Sequence, residues 1–260
     1  MKLRYAGTTH VGMKRKHNED NLLMAPERRL YVVADGMGGH ACGEVASRIS
    51  VETMQEFFNG SAEDDDLTWP CKTRAELSPL ENMMNASVKL ANMKIFEKSE
   101  SDVKFKGMGT TIVAVAFRDG EISMAHVGDS RIYRLRDKTL TQMTEDHSLL
   151  NDYKKMANLT EEEIENFPHK NIIVRALGMK ENVEVDVQSC MAEPGDVYLL
   201  CSDGLNGEIT DNEMEAILLT HRDNMEAACT RLIEDACANG GKDNVTAILV
   251  EVIEDSPAPE

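Results

Sequence analysis

The chain has 260 residues, of which 46 are Asp or Glu and 28 are Lys or Arg, giving a formal net charge of −18. Such an acidic surface repels phosphate backbones and argues against a general nucleic-acid binder. The apolar fraction of 42% is enough for a core, but the longest apolar run, Ile112 to Phe117, is far shorter than the ~20 residues that a bilayer requires, and no signal peptide is evident.

Apolar runs with β-forming residues predict a series of strands in the chain. The clearest pair is a hairpin, because its two arms are separated only by Arg118-Asp119-Gly120. The predicted strands are one that begins at Leu22, then Leu30–Ala34, Thr110–Phe117, Glu121–Val127, Asp196–Ser202 and Asn244–Ile253.

Helix signals lie between these strands. The segments 78–81 and 210–213 are capping boxes, in which the first and fourth side chains cap each other's backbone N–H groups. Apolar residues recur at helical spacing over 41–49, 84–95 and 225–236. Antiparallel strand pairs followed by runs of helix predict a layered α+β domain.

Two polar stretches are predicted to lie on the surface. Gly60 to Arg74 contains the acidic run 63–66, which fits a solvated loop better than a cation trap because adjacent like charges repel. Glu145 to Gly178 interrupts the strands and contains a short helix capped by Thr160; the sequence leaves open whether it is a plain connection or a flap beside a site. The polar tail 254–260 is expected to fray.

Acidic residues stand at five predicted strand boundaries. They are the Glu19-Asp20 pair, Asp35, Asp129, Asp203 and Asp243. In antiparallel sheets the end of one strand lies beside the start of the next, so all five positions would crowd one edge. Crowded carboxylates repel unless a cation lies between them, and Mg²⁺ and Mn²⁺ favour oxygen ligands. The alternative is a set of unrelated turns, because each Asp-Gly alone is a plain turn signal.

Arg15 lies in a basic run, 14–17, just before the first of these acids. A guanidinium beside a metal pair can hold a phosphate through two parallel hydrogen bonds. Taken alone, the run is better interpreted as a basic surface patch.

The six cysteines form no C-x-x-C pair, and a chain of this size needs no disulfides. They are predicted to be free thiols, which indicates a reducing compartment, the cytoplasm. The 16 methionines are interpreted as core filling.

Six short motifs occur in an order typical of one enzyme family. They are Arg15–Asp20, Asp35–His40, Gly107–Thr111, Val127–Arg131, Cys201–Leu205 and Lys242–Thr246. Each motif alone is weak, whereas six in order are highly specific. From about Tyr5 to Glu251, the chain resembles a bacterial-type metal-dependent type 2C (PPM) Ser/Thr protein phosphatase.

The resemblance implies a four-layer α-β-β-α sandwich of two antiparallel β-sheets flanked by helices, with a binuclear Mn²⁺ or Mg²⁺ site at one edge. The implied metal ligands are carboxylates and one backbone carbonyl: Asp35, Asp203 and Asp243 for the first ion, and Glu19, Asp35 and Gly36 for the second. Asp35 bridges the two ions, and Asp20 orients metal-bound water from behind the ligands. Asp129 helps to hold a weaker third metal, and Arg15 grips the substrate phosphate.

The implied reaction is hydrolysis of phosphoserine or phosphothreonine in proteins by a hydroxide that bridges the two ions, without a phosphoenzyme. The implied organisation is one catalytic domain over 1–253, with a flap at about 145–172 that tunes substrate access. Expected partners are Ser/Thr-phosphorylated proteins and a cognate Ser/Thr kinase. No nucleic acid or membrane is expected, and the chain is expected to be a cytoplasmic monomer.

Two positions depart from the family pattern. Eukaryotic relatives carry a His at the position of Met37, and that His is assigned to protonating the leaving group. Bacterial relatives have Met there, as this chain does, and Met cannot donate a proton. A metal-bound water is the alternative donor, and His40 is a candidate only by its proximity in sequence. Gly207 stands where many relatives carry an acid, so a third-metal site would have one carboxylate fewer.

Three rival functions fit the residues less well. A pseudophosphatase on the same fold should lack the metal ligands, which are all present. Another metal-dependent phosphoesterase, if it acted on nucleic acid, would conflict with the charge of −18. A structural acidic interaction protein leaves the six ordered motifs unexplained.

Overall fold

The computed structural model describes residues 1–38, 42–63, 69, 71–156 and 172–254. Its strands are β1 Lys2–His10, β2 Asp20–Ala25, β3 Leu30–Met37, β4 Gly109–Thr110, β5 Ile112–Arg118, β6 Glu121–Val127, β7 Arg131–Arg136, β8 Thr139–Gln142, β9 Asp186–Met191, β10 Val197–Cys201 and β11 Val245–Ile253. Its α-helices within those ranges are α1 Gly43–Glu63, α2 Pro79–Ser101, α3 Leu149–Met156, α4 Asp203–Asn206, α5 Asp211–Thr220 and α6 Met225–Ala238.

The strands form two antiparallel sheets. One has the order β1-β11-β10-β7-β8, and the other has the order β2-β3-β5-β6-β9, with β4 paired to the end of β3. Helices α1 and α2 cover the second sheet, while α5 and α6 pack with the first. This arrangement confirms the predicted four-layer α-β-β-α sandwich.

The alternation of side chains along β3 shows how the layers form. Tyr31 and Val33 point into the apolar layer between the two sheets, while Leu30, Val32 and Ala34 point into the layer under α1 and α2. Because successive side chains of a strand face opposite sides, a strand that is covered on both faces is apolar throughout. The run predicts a strand for that reason, but it does not reveal which face meets which layer.

Local signals in the sequence fix several boundaries correctly. The β5–β6 hairpin turns at Asp119 and Gly120, whose φ angles are 52° and 85°, as a two-residue turn with both φ values positive requires. Both predicted capping boxes are present, at Ser78 before α2 and at Thr210 before α5.

Other boundaries differ from the prediction. β3 does not end at Ala34 but continues through Met37, because β4 pairs with its last residues. The predicted strand Thr110–Phe117 is interrupted at Thr111, although the Thr111 N–H still donates to the Asp35 carbonyl oxygen of β3 at 2.8 Å. The predicted loop from Gly60 begins as helix, since α1 extends to residue 63. Strands β1, β7, β8 and β9 were not predicted, because their polar and half-buried residues give weak alternation.

Several expectations concern residues outside the described ranges. They include the helix capped by Thr160, most of the flap at 145–172, His40, the acids at 64–66 and the tail beyond residue 254. All six cysteines are described, and all are free thiols as predicted. Among the described helices, none has the length and apolar character needed to cross a membrane.

Candidate metal centre

The acidic residues of both sheets meet at one edge of the sandwich. Asp20 at the start of β2 lies directly opposite Asp35 in the β2–β3 ladder. The other two acids belong to the other sheet, in which β10 and β11 are neighbours. Asp203 begins α4 just after β10, and Asp243 precedes β11. The topology therefore brings together the carboxylates that the sequence placed at strand boundaries, although Asp35 lies inside its strand.

Asp35 and Asp203 occupy the middle of this cluster. Burial raises the pKa of Asp35 well above its usual range, and the negative charges of Asp20 and Asp203 raise it further. Burial and then the charge of Asp243 also raise the pKa of Asp203. Without a cation, these groups retain protons that an exposed aspartate would have lost.

Asp20 lies behind the cluster and is buried. Its Oδ2 accepts hydrogen bonds from Ser202 Oγ at 2.8 Å and from Thr246 Oγ1 at 2.6 Å. Burial raises the pKa of Asp20 to about 7 despite those two hydrogen bonds. Its Oδ1 has no partner within the described part of the chain, so one carboxylate oxygen remains available.

Gly36 brings its backbone unusually close to two other segments. A Cβ at this position would lie 2.2 Å from the carbonyl oxygen of Gly43 and 2.6 Å from that of Glu19. The Gly36 N–H donates to the Glu19 carbonyl oxygen at 3.2 Å. The Glu19 carboxylate accepts a hydrogen bond from the Gly43 backbone, while burial raises its pKa. Only glycine fits here, and it sets the Gly36 peptide beside the Glu19 side chain.

Arg15 reaches the cluster from a loop that is anchored elsewhere. The N–H groups of Met13 and Lys14 donate to the Gly241 carbonyl oxygen at 2.7 and 3.2 Å. The Arg15 guanidinium forms an ion pair of 2.5 Å with Asp243 Oδ2. Arg15 therefore lies at the edge of the carboxylate cluster, which argues against the alternative that it belongs only to a basic surface patch.

Asp129 lies beside the cluster, at the entrance of β7. It is buried, and burial followed by the charge of Asp203 raises its pKa to about 7. A cavity of about 490 Å³ is lined by Asp129 and Asp203 together with Gly207, Lys154 and Lys242. No carboxylate projects from position 207, as the sequence indicates.

The donor set fits hard divalent cations. It consists of carboxylate and carbonyl oxygens, which Mg²⁺ and Mn²⁺ prefer. Within the described residues, the buried Oδ1 atoms of Asp20, Asp129 and Asp203 lack any hydrogen-bond partner. Because buried polar atoms are normally satisfied, unpaired oxygens in a cluster of like charges indicate a missing positive partner.

Three residues that support the centre were not singled out from the sequence. Asn244 accepts from the Glu19 N–H at 2.8 Å and donates to the carbonyl oxygens of Val11 and His17, each at 2.9 Å. Ser202 and Thr246 hold Asp20. All three lie inside motifs that the sequence analysis used, but their roles depend on contacts between distant segments.

The raised pKa values predict how pH acts on stability. Asp20 and Asp129 shift from 3.8 to about 7, so between those values the metal-free folded state binds more protons than the unfolded state. Their stabilising contribution is complete below the unfolded pKa and is lost as pH rises through the folded pKa. The lowered pKa values of His126 and His147 act in the opposite sense, but only below about pH 6.5.

In EDTA, the melting temperature is therefore expected to be lower at pH 8 than at pH 6.5. Mn²⁺ competes with protons for the same oxygens, so the increase in melting temperature that it causes should be larger at pH 8. Thermal unfolding at both pH values, with EDTA and with Mn²⁺, measures this difference. Equal Mn²⁺-induced increases at both pH values would contradict the assignment of this carboxylate cluster as the metal centre.

Comparison with known proteins gives a consistent result. Residues 6–252 match the family model described as "Protein phosphatase 2C". A serine/threonine phosphatase, stp, of Listeria monocytogenes serotype 4b is 38% identical over 248 residues, covering 94% of this chain and 93% of the relative.

Two solved structures also match nearly the whole chain. The serine/threonine phosphatase PstP/Ppp of Mycobacterium tuberculosis has a TM-score of 0.84 at 34% identity, covering 98% of this chain and 100% of that chain. The catalytic domain of PstP in complex with two manganese ions has a TM-score of 0.81 at 35% identity, covering 97% and 99% of the two chains.

Proposed function

The chain belongs to the protein phosphatase 2C family, and we propose that its carboxylate cluster is the two-metal catalytic centre. The protein is a metal-dependent protein Ser/Thr phosphatase, a hydrolase that removes phosphate from phosphoserine and phosphothreonine in proteins. The observation that carries the site assignment is the convergence of carboxylates from both sheets around Asp203, whose Oδ1 is left without a partner in the described residues.

The proposed ligands come from both sheets and are those that the resemblance implied. Asp35, Asp203 and Asp243 would hold one Mn²⁺ or Mg²⁺ ion, and Glu19, Asp35 and the Gly36 carbonyl would hold the other. The manganese complex of PstP supports two ions here. The proximity of Asp129 to Asp203 supports a weaker third site, although Gly207 supplies no carboxylate to it.

When bound, the two cations supply activation of water and positive charge next to the phosphoryl oxygens. The chain's own residues orient the reactants. Asp20 is fixed by Ser202 and Thr246 and keeps Oδ1 free to accept a hydrogen bond from water. Arg15, once Asp243 is neutralised by a cation, is free to bind two phosphoryl oxygens with its planar guanidinium. Met37 offers no proton, so the leaving oxygen needs another donor, for which we propose water.

The remaining features of the proposal concern organisation and partners. We propose one catalytic domain over 1–253 with a flap at about 145–172, acting as a cytoplasmic monomer. The six free thiols support a reducing compartment. A cognate Ser/Thr kinase is proposed among the substrates, together with other Ser/Thr-phosphorylated proteins.

Phosphate release from a phosphothreonine peptide tests this function. Release is expected with Mn²⁺ and is expected to be absent in EDTA. Asp203→Asn should eliminate the Mn²⁺-dependent release, because it removes a charged ligand while preserving side-chain size. Absence of release by folded wild-type protein at every Mn²⁺ concentration would overturn the proposal.

Arg15→Lys is expected to raise KM for the phosphopeptide and to lower kcat/KM by roughly 10–100-fold, which corresponds to about 1.4–2.8 kcal/mol. Lysine keeps the charge but loses the paired N–H groups that match two phosphoryl oxygens. Mn²⁺ affinity should not fall, because Arg15 competes with metal for Asp243. Steady-state kinetics and Mn²⁺ titration separate these effects. The matched variant Arg48→Lys, at an exposed position of α1, controls for the substitution itself. An unchanged kcat/KM in Arg15→Lys would show that Arg15 does not bind the phosphate.

A further inference from the structure

His147 holds the backbone that immediately precedes Asp129. The Gly128 N–H donates to His147 Nδ1 at 3.0 Å, and the His147 N–H donates to the Gly128 carbonyl oxygen at 2.8 Å. A single buried residue thereby binds both polar backbone groups of Gly128. Gly128 has a φ of 114°, and a Cβ there would lie 2.5 Å from Thr111 Cβ, so this junction after β6 has one tightly constrained backbone path.

The hydrogen bonds also define which nitrogen of His147 carries its proton. Since Nδ1 accepts from a backbone N–H, the proton of the neutral ring is on Nε2. Nε2 then donates to Asp186 Oδ2 at 3.2 Å. Asp186 is itself fixed on β9, where its Oδ1 accepts from Arg175 Nη1 at 2.6 Å. Arg175, Asp186, His147 and Gly128 form one continuous hydrogen-bonded chain, which we call the His147 chain.

His126 completes the surroundings of His147. It lies opposite Asp186 in the β6–β9 ladder, its ring stacks on that of His147 with centroids 4.6 Å apart, and its Nε2 donates to the Glu145 carbonyl oxygen at 2.9 Å. His126, His147 and Asp186 place three potential ligand atoms within 4.8 Å of one another. A metal ion would need the lone pair of His147 Nε2, but that nitrogen bears the proton. The geometry therefore favours a fixed hydrogen-bonded chain over a second metal site.

The placement of Asp129 depends on this support. Asp129 is buried, and its Oδ1 has no hydrogen-bond partner among the described residues. Since no side-chain partner holds that oxygen, its position follows from the backbone around Asp129, of which Gly128 is the preceding residue. His147 also connects the two ends of the proposed flap next to this site, since the Val174 N–H donates to the His147 carbonyl oxygen at 2.9 Å.

We propose that His147 is a positioning residue that sets the Asp129 carboxylate at the weaker metal site through Gly128. The inference rests on the proposed role of Asp129.

Two variants test the two nitrogens of the His147 ring separately. In His147→Asn, Oδ1 takes the place of Nδ1 and can still accept from Gly128. In His147→Gln, the terminal amide reaches the place of Nε2 and can still donate to Asp186, but the acceptor for Gly128 is lost.

Calorimetric titration of the full chain with Mn²⁺, without substrate, measures the effect directly. Wild-type protein is expected to show two tight binding events and a weaker third event. His147→Gln should weaken the third event by about tenfold, the lower end of effects seen for groups behind metal ligands. His147→Asn should retain it, and the remote His221→Gln variant on the α5 terminus should match wild type. In all variants the two tight events should be unchanged.

The outcomes distinguish this inference from the function on which it rests. If Asp129→Asn loses the third event but His147→Gln retains it, the positioning role is overturned while the third-metal site itself stands. Equal effects of His147→Asn and His147→Gln also overturn it, because a role in packing alone would not distinguish them. An Asp129→Asn variant that binds Mn²⁺ like wild type overturns both proposals. If His147→Gln does not fold, His147→Leu replaces it, because leucine likewise offers the Gly128 N–H no acceptor, and an unchanged third event in that variant overturns the role.

Discussion

Asp35→Asn is expected to reduce kcat/KM for a phosphothreonine peptide by at least about 10³-fold, equivalent to roughly 4 kcal/mol of transition-state stabilisation. Asp35 is the proposed bridge between the two ions, so its neutral isostere weakens both sites together. The same substitution should not lower the melting temperature of the metal-free protein, because burial already raises the pKa of Asp35 well above its usual range. Removing one ionisable group from a crowded set of carboxylates relieves repulsion.

The informative result is this separation between stability and activity. In Asp35→Asn, Mn²⁺ should no longer raise the melting temperature, whereas it should do so in wild type. Asp137→Asn is a matched control, because residue 137 is exposed, follows the end of β7 opposite to the end that Asp129 adjoins, and has a φ of 49°, which asparagine adopts readily. If Asp35→Asn destabilised the metal-free protein strongly and kept its response to Mn²⁺, Asp35 would be a structural residue and not a ligand.

Gly36→Ala is expected to destabilise the fold by about 3 kcal/mol, the upper range for inserting atoms into a packed site, and to lower the melting temperature by about 8 °C. The new Cβ would lie 2.2 Å from the Gly43 carbonyl oxygen and 2.6 Å from that of Glu19. Both neighbours are backbone atoms of the segments that present the Glu19 carboxylate. Relieving the clash must therefore move β3, α1 or the proposed ligands, and activity should fall with stability.

Gly38→Ala provides the control two residues further on. A Cβ on Gly38 would meet its nearest atom at 3.4 Å, an ordinary contact. Its melting temperature is expected to stay close to that of wild type. Thermal unfolding of both variants in EDTA measures the packing effect without metal. Equal destabilisation by the two substitutions would mean that the loop tolerates neither, and that the close approach at Gly36 has no special role.

Both the acidic cluster and the fold class could be predicted from short motifs and local signals in the sequence. Five acidic strand boundaries and the order of the six motifs single out Asp203 and its acidic neighbours, and the structure brings these residues together. The hairpin at Asp119-Gly120 and the capping boxes at Ser78 and Thr210 are local signals, and they are confirmed because a turn or a cap depends on adjacent residues alone.

Features that depend on pairing between distant segments could not be predicted. β3 extends through Met37 only because β4, more than 70 residues later, pairs with it. Ser202 and Thr246 meet at Asp20 because β10 and β11 lie side by side. The His147 chain depends on β9 lying against β6, and β9 itself is a half-exposed strand with weak alternation. Its residues carry no motif that would reveal their mutual contact.

The most direct test of the two-metal assignment is the anomalous scattering of Mn²⁺ in crystals of this chain, recorded on both sides of the manganese absorption edge. Two strong anomalous peaks are expected within coordination distance of Asp35, one adjoining Asp203 and Asp243 and the other adjoining Glu19 and the Gly36 carbonyl. A single ion that Asp35 does not bind, or manganese found between His126 and His147 with none at the carboxylates, would contradict the assignment of the catalytic centre.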